Sequence, residues 1–559
     1  MSKAPARPCT AAARWWGLVN LITHSAKDGA ASTAALALGS HASGKLYWSG
    51  KRQQHKLSSF VAASASYSGG RDLYLPEFDQ PAFGAHFGGL SKGNDVARSV
   101  RLFGRFSAGP AWLQAMLVSG ARRDPLASYG SSFNGRLTLR ESLGALEAGL
   151  THHLSDGGQL SARLFSFATA ERGDYPYASA GRRGMPATYI NVSDLMSRQL
   201  GAELRYDRFI SPGHHLLGGV EIKHIRYSHQ VGDQPGLGRS DVFSVDSDSS
   251  YMQWALFAQD EMRLGAGKLF IGARLDSCHG FSEGVNSHVS PRIAYVQQVA
   301  KGVTAKLMYG EAYRAPTIYE SRYQDGLPAA STIWANGALE PEFSRSLEAL
   351  LIGQPASGVQ WRLSGFLKRL QGTPIQRVTP NYRANTCTLG PDACIQYVNS
   401  DRRQKVAGVE LDVRVRRGEE GELYASMVLQ RGRGEGGELA SSPERQFKAG
   451  ISSKLPWPGA NAALEAQYIG QVHGRIDSVT AVRDVVPSYL LVGAVLNATG
   501  LGQLWRASLR VDNLLDRRYG TVAWDSRCNA ISDAARTVPV FSADAGRRWG
   551  AGRSDPARL

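Results

Sequence analysis

The stretch YGEAYRAPTIYESRYQDGLPAASTIWANGALEPEFSRSLE, residues 309–348, shows how the chain folds. In the segment that leads into it, 303–309, apolar side chains alternate with other residues, so one face of a strand is mainly apolar. Arg314-Ala315-Pro316 ends this strand, because proline has no N–H for a strand ladder. A long polar loop follows, and the chain turns back near Ser344. The stretch predicts a β-hairpin with a long loop.

Most other segments are variations on this hairpin, and together they predict about 22 strands, which is the size of a large plugged barrel. The predicted strands are 29–40, 43–52, 56–68, 98–106, 111–121, 141–154, 157–171, 196–209, 214–230, 249–264, 267–280, 287–298, 302–313, 343–354, 358–372, 406–416, 421–432, 444–454, 460–474, 487–497, 503–512 and 538–549.

The connections between these strands alternate between long and short. The long ones are roughly 69–97, 122–140, 172–195, 231–248, 314–342, 373–405 and 513–537. Short turns such as Ser155-Asp156 and Gly265-Ala266 fall between them. Outer-membrane barrels have short periplasmic turns and long outer loops, whereas a sandwich or propeller would not alternate so regularly. The pattern therefore predicts an all-β fold: a large antiparallel transmembrane β-barrel.

Side-chain alternation within the strands supports a barrel with a wet interior. Val409, Leu411, Val413 and Val415 share one face of their strand, and four charged residues occupy the other. Trp505, Ala507, Leu509 and Val511 oppose Arg506, Ser508, Arg510 and Asp512 in the same way. Several charges on one face would be costly in a dry core but are stable along a polar lumen. No apolar run of about 18 residues is present, so no transmembrane helix is expected.

Three motifs resemble those of TonB-dependent outer-membrane receptors, the gated barrels that import iron chelates and cobalamin. YGEAYRAP followed by NGALEPEFSRSLE is similar to their seventh-loop region, and VAGVELDV (406–413) and VDNLLDRRYG (511–520) match two further pieces. The residues that carry the resemblance are Tyr313, Arg314, Ala315, Pro316, Asn336, Leu339, Pro341, Glu342, Asn513, Leu514, Asp516 and Tyr519.

The two ends of the sequence depart from the family pattern. WGLVNLITH (16–24) resembles the last strand of the plug domain, so most of the plug, the TonB-contacting box and the export signal are expected to be missing. We interpret residues 1–28 as the plug end with an aberrant leader, 29–549 as the barrel and 550–559 as a disordered tail. The segment 538–549 is the candidate closing strand, although the chain ends on Leu559 rather than on an aromatic residue.

The net charge of +16 is assigned to loops and to the lumen. Arginine and lysine are dispersed and no compact nucleic-acid motif accompanies them, so nucleic acid is not an expected partner. A basic lumen or mouth would attract anionic ligands. Among the five cysteines, Cys387 and Cys394 flank a short turn and predict a local disulfide. Cys9, Cys278 and Cys528 are isolated and are given no role.

No enzyme motif, metal site or cofactor site is predicted. Arg314 is expected to position the long loop by contacting its backbone or a carboxylate such as Glu320, and Glu342 and Glu348 are expected ion-pair partners. Aromatic side chains in outer loops can hold apolar or catecholate ligands. The candidate ligand-binding residues are Tyr74, Tyr129, Tyr175, Tyr177 and Tyr323.

The resemblance implies a monomeric receptor in the outer membrane of a Gram-negative bacterium, surrounded by lipid. It would capture a metal chelate, either a ferric siderophore or cobalamin, with its outer loops, and the TonB complex would drive plug movement. Without its plug the chain would be an incomplete importer. The alternative from another class is a plug-less passive porin, since a 22-strand barrel without a plug leaves a wide channel.

Overall fold

The computed structural model describes most of the chain after residue 30. The described residues are 31–75, 78, 88–126, 128, 131–178, 188–235, 244–279, 287–323, 333–378, 395–418, 420–434, 437–438, 442–476, 483–501, 505–522, 530–533 and 540–548. One antiparallel sheet contains 23 strands, counting the two-residue strand Gly437–Glu438, which pairs only with the strand before it. The other 22 strands form the wall of a barrel.

The wall strands run in chain order from β1 to β22. The first eleven are β1 (Ala31–Gly39), β2 (Ser43–Gln54), β3 (Leu57–Ser68), β4 (Ala97–Ala108), β5 (Ala111–Arg123), β6 (Thr138–His153), β7 (Gln159–Ala178), β8 (Thr188–Ser211), β9 (His214–Pro235), β10 (Ser244–Leu264) and β11 (Gly267–His279). The second eleven are β12 (Ser287–Ala300), β13 (Val303–Arg314), β14 (Glu342–Ala356), β15 (Val359–Gln371), β16 (Gln404–Arg417), β17 (Gly421–Gly434), β18 (Arg445–Lys454), β19 (Ala460–Ile469), β20 (Tyr489–Leu501), β21 (Trp505–Val511) and β22 (Val540–Arg548).

Each strand pairs antiparallel with its neighbours in sequence, and β22 closes the ring by pairing with both β21 and β1. Ala31 lies opposite Arg548 and Leu38 opposite Phe541, so the first and last strands are in register along their length. The predicted all-β antiparallel barrel is confirmed, and so is the closing strand within 538–549. All the predicted strands are present. They could be predicted because the alternating residues of a strand and the turn residues that end it lie close together in the sequence.

The outer face of the wall is apolar. On β14 and β15, Leu347, Leu367 and Leu363 are exposed and lie on the same face, because Leu347 pairs with Leu367 and the residues two apart on a strand point the same way. Val409 and Val415 on β16 are exposed too, as the sequence predicts for that face. The exposed leucines and valines form the lipid-facing band of a membrane barrel.

The inner face carries ion pairs. Arg163 of β7 contacts Glu203 of β8 at 3.0 Å, and Arg274 of β11 reaches across β10 to Glu221 of β9 at 2.9 Å. On β10, Ala255 lies opposite Glu221, and the Arg274 guanidinium passes over the Phe257 ring, 5.6 Å from its centroid. On β15 and β16, Arg362 binds Asp412. The charged inner face predicted from the alternation is confirmed.

The long outer segments differ from expectation in two places. Strands β7 to β10 continue well past the predicted ends, so most of 172–195 and part of 231–248 are strand rather than loop. Charged and polar residues occupy both faces there, which hides the alternation of a membrane strand. The loop after β13 contains a short helix, α1 (Ile318–Arg322), and the strand Ile333–Trp334.

Two loops pack against each other above β3 to β6. Leu75, Phe78 and Phe133 form a buried cluster, and the two phenyl rings stack at 4.8 Å.

Within the described part of the chain, no helix has the length and apolar composition needed to cross a membrane.

A charged side chain on the outer face should destabilise the barrel. Leu363, in the apolar band between Leu351 and Leu411, is the test position. We expect Leu363→Arg to lower the free energy of unfolding in lipid by about 2–4 kcal/mol, because an arginine at that depth loses hydration. Ser364→Arg, one residue away on the lumen face beside Glu410, should change it by about 0.5 kcal/mol or less. Urea unfolding in lipid vesicles measures both, and equal effects would contradict the assignment of faces.

Candidate functional site at the outer mouth

The outer mouth is organised around Arg314, the last residue of β13. Its guanidinium donates to both carboxylate oxygens of Glu320 at 2.7 and 3.1 Å and to Glu342 at 2.8 Å. All three side chains are largely buried. The contact with Glu320 that the sequence predicts is confirmed, and Glu342 is an ion-pair partner as expected. Arg314 therefore joins the end of β13, the loop that follows it and the start of β14.

Helix α1 is held at its first turn by a reciprocal capping arrangement. The Thr317 hydroxyl accepts a hydrogen bond from the Glu320 backbone N–H, and the Glu320 carboxylate accepts one from the Thr317 backbone N–H. Such a box satisfies N–H groups that a helix start leaves unpaired. Because Glu320 serves both Arg314 and this cap, one carboxylate fixes the helix to the barrel wall.

Glu342 connects this loop to the next one. Its second carboxylate oxygen accepts a hydrogen bond from Thr373, at the start of the loop after β15. Asn399 donates to the backbone carbonyls of Glu340 and Gly372, and Asn336 donates to that of Tyr397. The two loops, 315–341 and 372–403, are thus tied together by side-chain amides and carboxylates.

A small three-stranded sheet reinforces that connection. The strand Ile333–Trp334 runs parallel to Ile395–Asn399, which pairs antiparallel with Pro374–Val378. Strands from both loops share backbone hydrogen bonds, so the loops form one unit above the barrel.

The inner wall below this unit is aromatic. Ile318 of α1 packs in a buried cluster with Tyr227 of β9 and Cys278 of β11. The Tyr323 ring, just after α1, stacks on His229 of β9 at 4.9 Å. His229 is 1% exposed, and its Nε2 lies 3.1 Å from the Ser193 hydroxyl on β8. Helix α1 therefore packs inside the mouth, against the wall of β8 to β11.

Aromatic contacts continue from this wall to the second loop. Tyr319 stacks on Tyr323 at 4.4 Å and meets Tyr397 edge-on at 6.1 Å. We call Tyr319, Tyr323, Tyr397, Tyr227 and His229 the aromatic wall. It combines flat apolar surfaces with hydroxyl groups, which suits ligands that have both rings and polar substituents.

The structure distributes the predicted ligand-binding tyrosines unevenly. Tyr323 belongs to the aromatic wall. Tyr175 and Tyr177 lie on β7 rather than in a loop, and Tyr177 stacks on Tyr189 of β8 at 5.6 Å. Tyr74 is exposed on a different loop, in the short strand Leu73–Tyr74. Tyr129 lies outside the described residues.

Sequence reasoning missed His229, Tyr319 and Tyr397. Tyr319 lies four residues before Tyr323, and residues at this spacing on a helix contact each other. A helix predicted after Pro316 would therefore have placed the two tyrosine rings in contact. His229 had no local signal, because the strand position that faces Tyr323 depends on the pairing of distant strands.

The remaining family-motif residues have structural roles. Asn513, with a positive φ of 50°, exchanges side-chain hydrogen bonds with the backbone of Arg517 and so closes the turn after β21. Leu514 donates its backbone N–H to Val492 on β20, and Tyr519 stacks on Tyr489 at 4.6 Å. Leu339 is 1% exposed beneath the tied loops. The predicted Cys387–Cys394 disulfide and the plug-like segment 16–24 lie outside the described residues.

The Glu320 carboxyl has a perturbed pKa. Burial acts to raise this pKa, but the hydrogen bonds from Arg314 and from the Thr317 backbone outweigh it and leave the pKa below the ordinary glutamate value. Glu320 is therefore ionised at neutral pH and keeps its bond to Arg314.

A closed antiparallel barrel of 22 strands with long outer loops is the architecture of a large outer-membrane barrel protein. The sequence matches the family model described as TonB dependent receptor-like, beta-barrel, over residues 74–514. The chain belongs to this family, whose members are outer-membrane receptors and transporters of Gram-negative bacteria and not enzymes.

Solved structures agree on the fold. The pyoverdine outer-membrane receptor FpvA of Pseudomonas aeruginosa, bound to pyoverdine, is 12% identical, with a TM-score of 0.70 over 93% of this chain and 79% of that one. The ferric-catecholate import receptor Fiu of E. coli K12 is 11% identical, with a TM-score of 0.71 over 94% and 83%. The siderophore receptor PirA of Acinetobacter baumannii is 14% identical, with a TM-score of 0.70 over 93% and 81%. A search of curated protein sequences finds no match.

Removing Arg314 should release helix α1 from the wall. Arg314→Ala leaves two buried carboxylates without their cation, so we expect the free energy of loop opening to fall by about 3–5 kcal/mol. Hydrogen exchange of the amides in 318–323 measures this. Arg362→Ala breaks the more exposed pair with Asp412. It should change the free energy of loop opening, measured at the same amides 318–323, by less than about 1 kcal/mol. Equal exchange in the two variants would show that Arg314 does not anchor the loop.

The loop anchor should also depend on pH. Because the folded-state pKa of Glu320 is lowered, its contribution is complete above the ordinary glutamate value of about 4.3 and is lost as the pH falls through the folded-state value. Hydrogen exchange of α1, corrected for the intrinsic effect of pH, should therefore show a transition below about 4.3. Glu320→Gln should remove that transition, and its persistence would assign it to another group.

Proposed function

We propose that this chain is an outer-membrane receptor for ferric siderophores, and that Tyr319, Tyr323 and Tyr397 of the aromatic wall form its ligand-binding surface, with the buried Tyr227 and His229 behind them. The observation that supports this most directly is the position of helix α1. It places Tyr319 and Tyr323 inside the mouth, against His229, rather than on the outer surface. A ligand that enters between the tied loops would meet aromatic rings first and the charged lumen below.

The chemistry of the wall favours a chelate with aromatic or catecholate groups. Tyrosine rings can stack on such groups and their hydroxyls can bond to polar substituents. The net charge of +16 favours an anionic ligand over a cationic one. Fiu and PirA, which share the fold, are described as receptors for ferric catecholate and for siderophore. Cobalamin remains a second candidate of the same transport class.

Transport would follow the scheme of the family. The outer loops would capture the chelate, and a plug coupled to the TonB complex would open the lumen. We propose residues 29–549 as the barrel, 1–28 as the end of a plug and 550–559 as a tail, with the protein acting as a monomer.

Ligand binding tests the proposal. Quenching of tryptophan fluorescence should show binding of ferric enterobactin to the purified chain, and neither cobalamin nor iron-free enterobactin should bind comparably. Tyr323→Ala should weaken binding roughly threefold to tenfold through the loss of ring stacking, and Tyr323→Phe should restore most of it. Tyr74→Ala, an exposed tyrosine on another loop, is the matched control. If Tyr74→Ala weakens binding and Tyr323→Ala does not, the aromatic wall is not the binding surface.

The passive-porin alternative makes a different prediction. A 22-strand barrel with an open lumen would conduct ions steadily in a planar bilayer. A silent bilayer that contains folded protein would exclude the porin. Steady conductance together with no binding of any chelate would favour the porin over the receptor.

A further inference from the structure

A row of basic residues crosses the outer face of strands β14 to β17. Arg345 lies directly opposite Arg369, Arg369 opposite Lys405, and Lys405 opposite Arg433. We call these four residues the basic row. Arg431 and Arg445, on β17 and β18, flank it. All of these side chains are exposed.

The row lies on the lipid-facing side of the wall. Side chains two apart on a strand point the same way, so Arg345 shares a face with Leu347, and Arg369 with Leu367. Both leucines are exposed members of the apolar band. The opposite face of β15 and β16 points into the lumen, where Arg362 pairs with Asp412.

The height of the row is set by the strand ends. Arg345 and Lys405 are near the starts of β14 and β16, and Arg369 and Arg433 are near the ends of β15 and β17. All four strand ends adjoin long connections, which lie on the outer side of such barrels. On its own strand, each residue of the row lies two to four positions closer to the outer end than the last large apolar side chain exposed on the same face. This separation is roughly 7–13 Å along the strand. The row therefore lies where the head groups of the outer leaflet begin.

Only part of this positive charge is neutralised by the protein. Arg345 pairs with Glu311 at 3.2 Å and Arg431 with Glu444 at 3.7 Å. For Arg369 and Lys405, no ion pair is present among the residues that the structure describes. Like charges directly opposite on a sheet repel each other, so the row lowers the stability of the barrel unless an anion joins it.

The arc from β6 to β10 also carries outward-facing arginines near its outer strand ends. Those on β6, β7 and β9 each have a carboxylate partner, in the pairs Arg140–Asp174, Arg172–Asp194 and Arg226–Asp248. Arg198 of β8, directly opposite Arg226, has no ion pair among the residues that the structure describes. The exposed arginines of this arc are therefore mostly paired, whereas the basic row places four cations side by side.

We propose that the basic row binds the phosphate groups of a lipid head group in the outer leaflet. Arginine and lysine are the usual ligands of phosphate, and arginine can bind it through two parallel hydrogen bonds. The apolar band below the row, which begins at Leu347 and Leu367, would hold the acyl chains. A free phosphate ion would gain nothing from that band, so the combination fits a phosphorylated lipid. The proposal depends on the outer-membrane location and on the orientation of the loops, but not on the ligand of the mouth.

The test compares lipids that differ only in their phosphates. Native mass spectrometry of the full chain in detergent should show bound lipid A carrying two phosphates, with much less binding of the same lipid after dephosphorylation. Arg369→Gln with Lys405→Gln should weaken binding of the phosphorylated form by roughly tenfold or more, since each cation at an anionic surface contributes to binding. Higher salt should weaken the wild-type complex.

A matched double variant controls for charge alone. Lys368→Gln with Arg226→Gln also removes two cations, one facing the lumen beside Glu348 and one on β9 paired with Asp248 of β10. It should leave lipid binding within about twofold of wild type. Circular dichroism checks that each variant is folded. The comparison of phosphorylated with dephosphorylated lipid uses the wild-type chain, so it does not depend on the folding of any variant.

Three results would overturn the proposal. One is equal binding of the phosphorylated and dephosphorylated lipid, and another is an equal loss in the two double variants. The third is displacement of the lipid by inorganic phosphate at a concentration equal to that of the lipid and at matched ionic strength, which would show that the acyl chains add nothing and make the row a site for a free anion. Binding of a siderophore at the mouth is a separate measurement. Failure of the lipid proposal can therefore be told apart from failure of the receptor proposal.

Discussion

The structure depends on the closure of one hydrogen-bonded ring. In a membrane no water is available to backbone N–H and C=O groups, so an open sheet edge would leave them unpaired at several kcal/mol each. Pairing of β22 with β1 removes both edges. Closure also fixes the register around the whole ring, and that register decides which side chains meet inside the mouth and on the outer surface. The aromatic wall and the basic row are both consequences of it.

Charge is used differently on the two faces of the wall. Inside, arginines and carboxylates alternate between neighbouring strands and pair, as Arg163 does with Glu203, so the lumen is polar but locally balanced. Outside, charged side chains lie at the edges of the apolar band. At the outer edge some arginines are paired, as in Arg140–Asp174, whereas Arg369 and Lys405 have no ion pair among the described residues. Part of the net charge of +16 therefore lies on the outer face of the wall, and not only in the loops and the lumen.

The mouth is shaped by a few buried polar contacts. Arg314 connects β13, α1 and β14 through Glu320 and Glu342, and Thr373 extends that connection to the following loop. These contacts hold Tyr323 against His229. A loop that is fixed to the wall in this way presents its aromatic rings in one geometry, so less conformational entropy is lost when a ligand binds.

The sequence by itself determined the strands, their alternating faces, the long and short connections and the end of β13 at Arg314, because each follows from residues close together in the chain. It also predicted that Arg314 contacts either the loop backbone or a carboxylate such as Glu320, and the structure shows the carboxylate contact, which spans six residues. The tertiary structure alone decided that His229 meets Tyr323 and that Arg345, Arg369, Lys405 and Arg433 align. Those contacts depend on the register between strands whose residues are tens of positions apart. Register is set by the hydrogen-bonded pairing of whole strands, which no local pattern records.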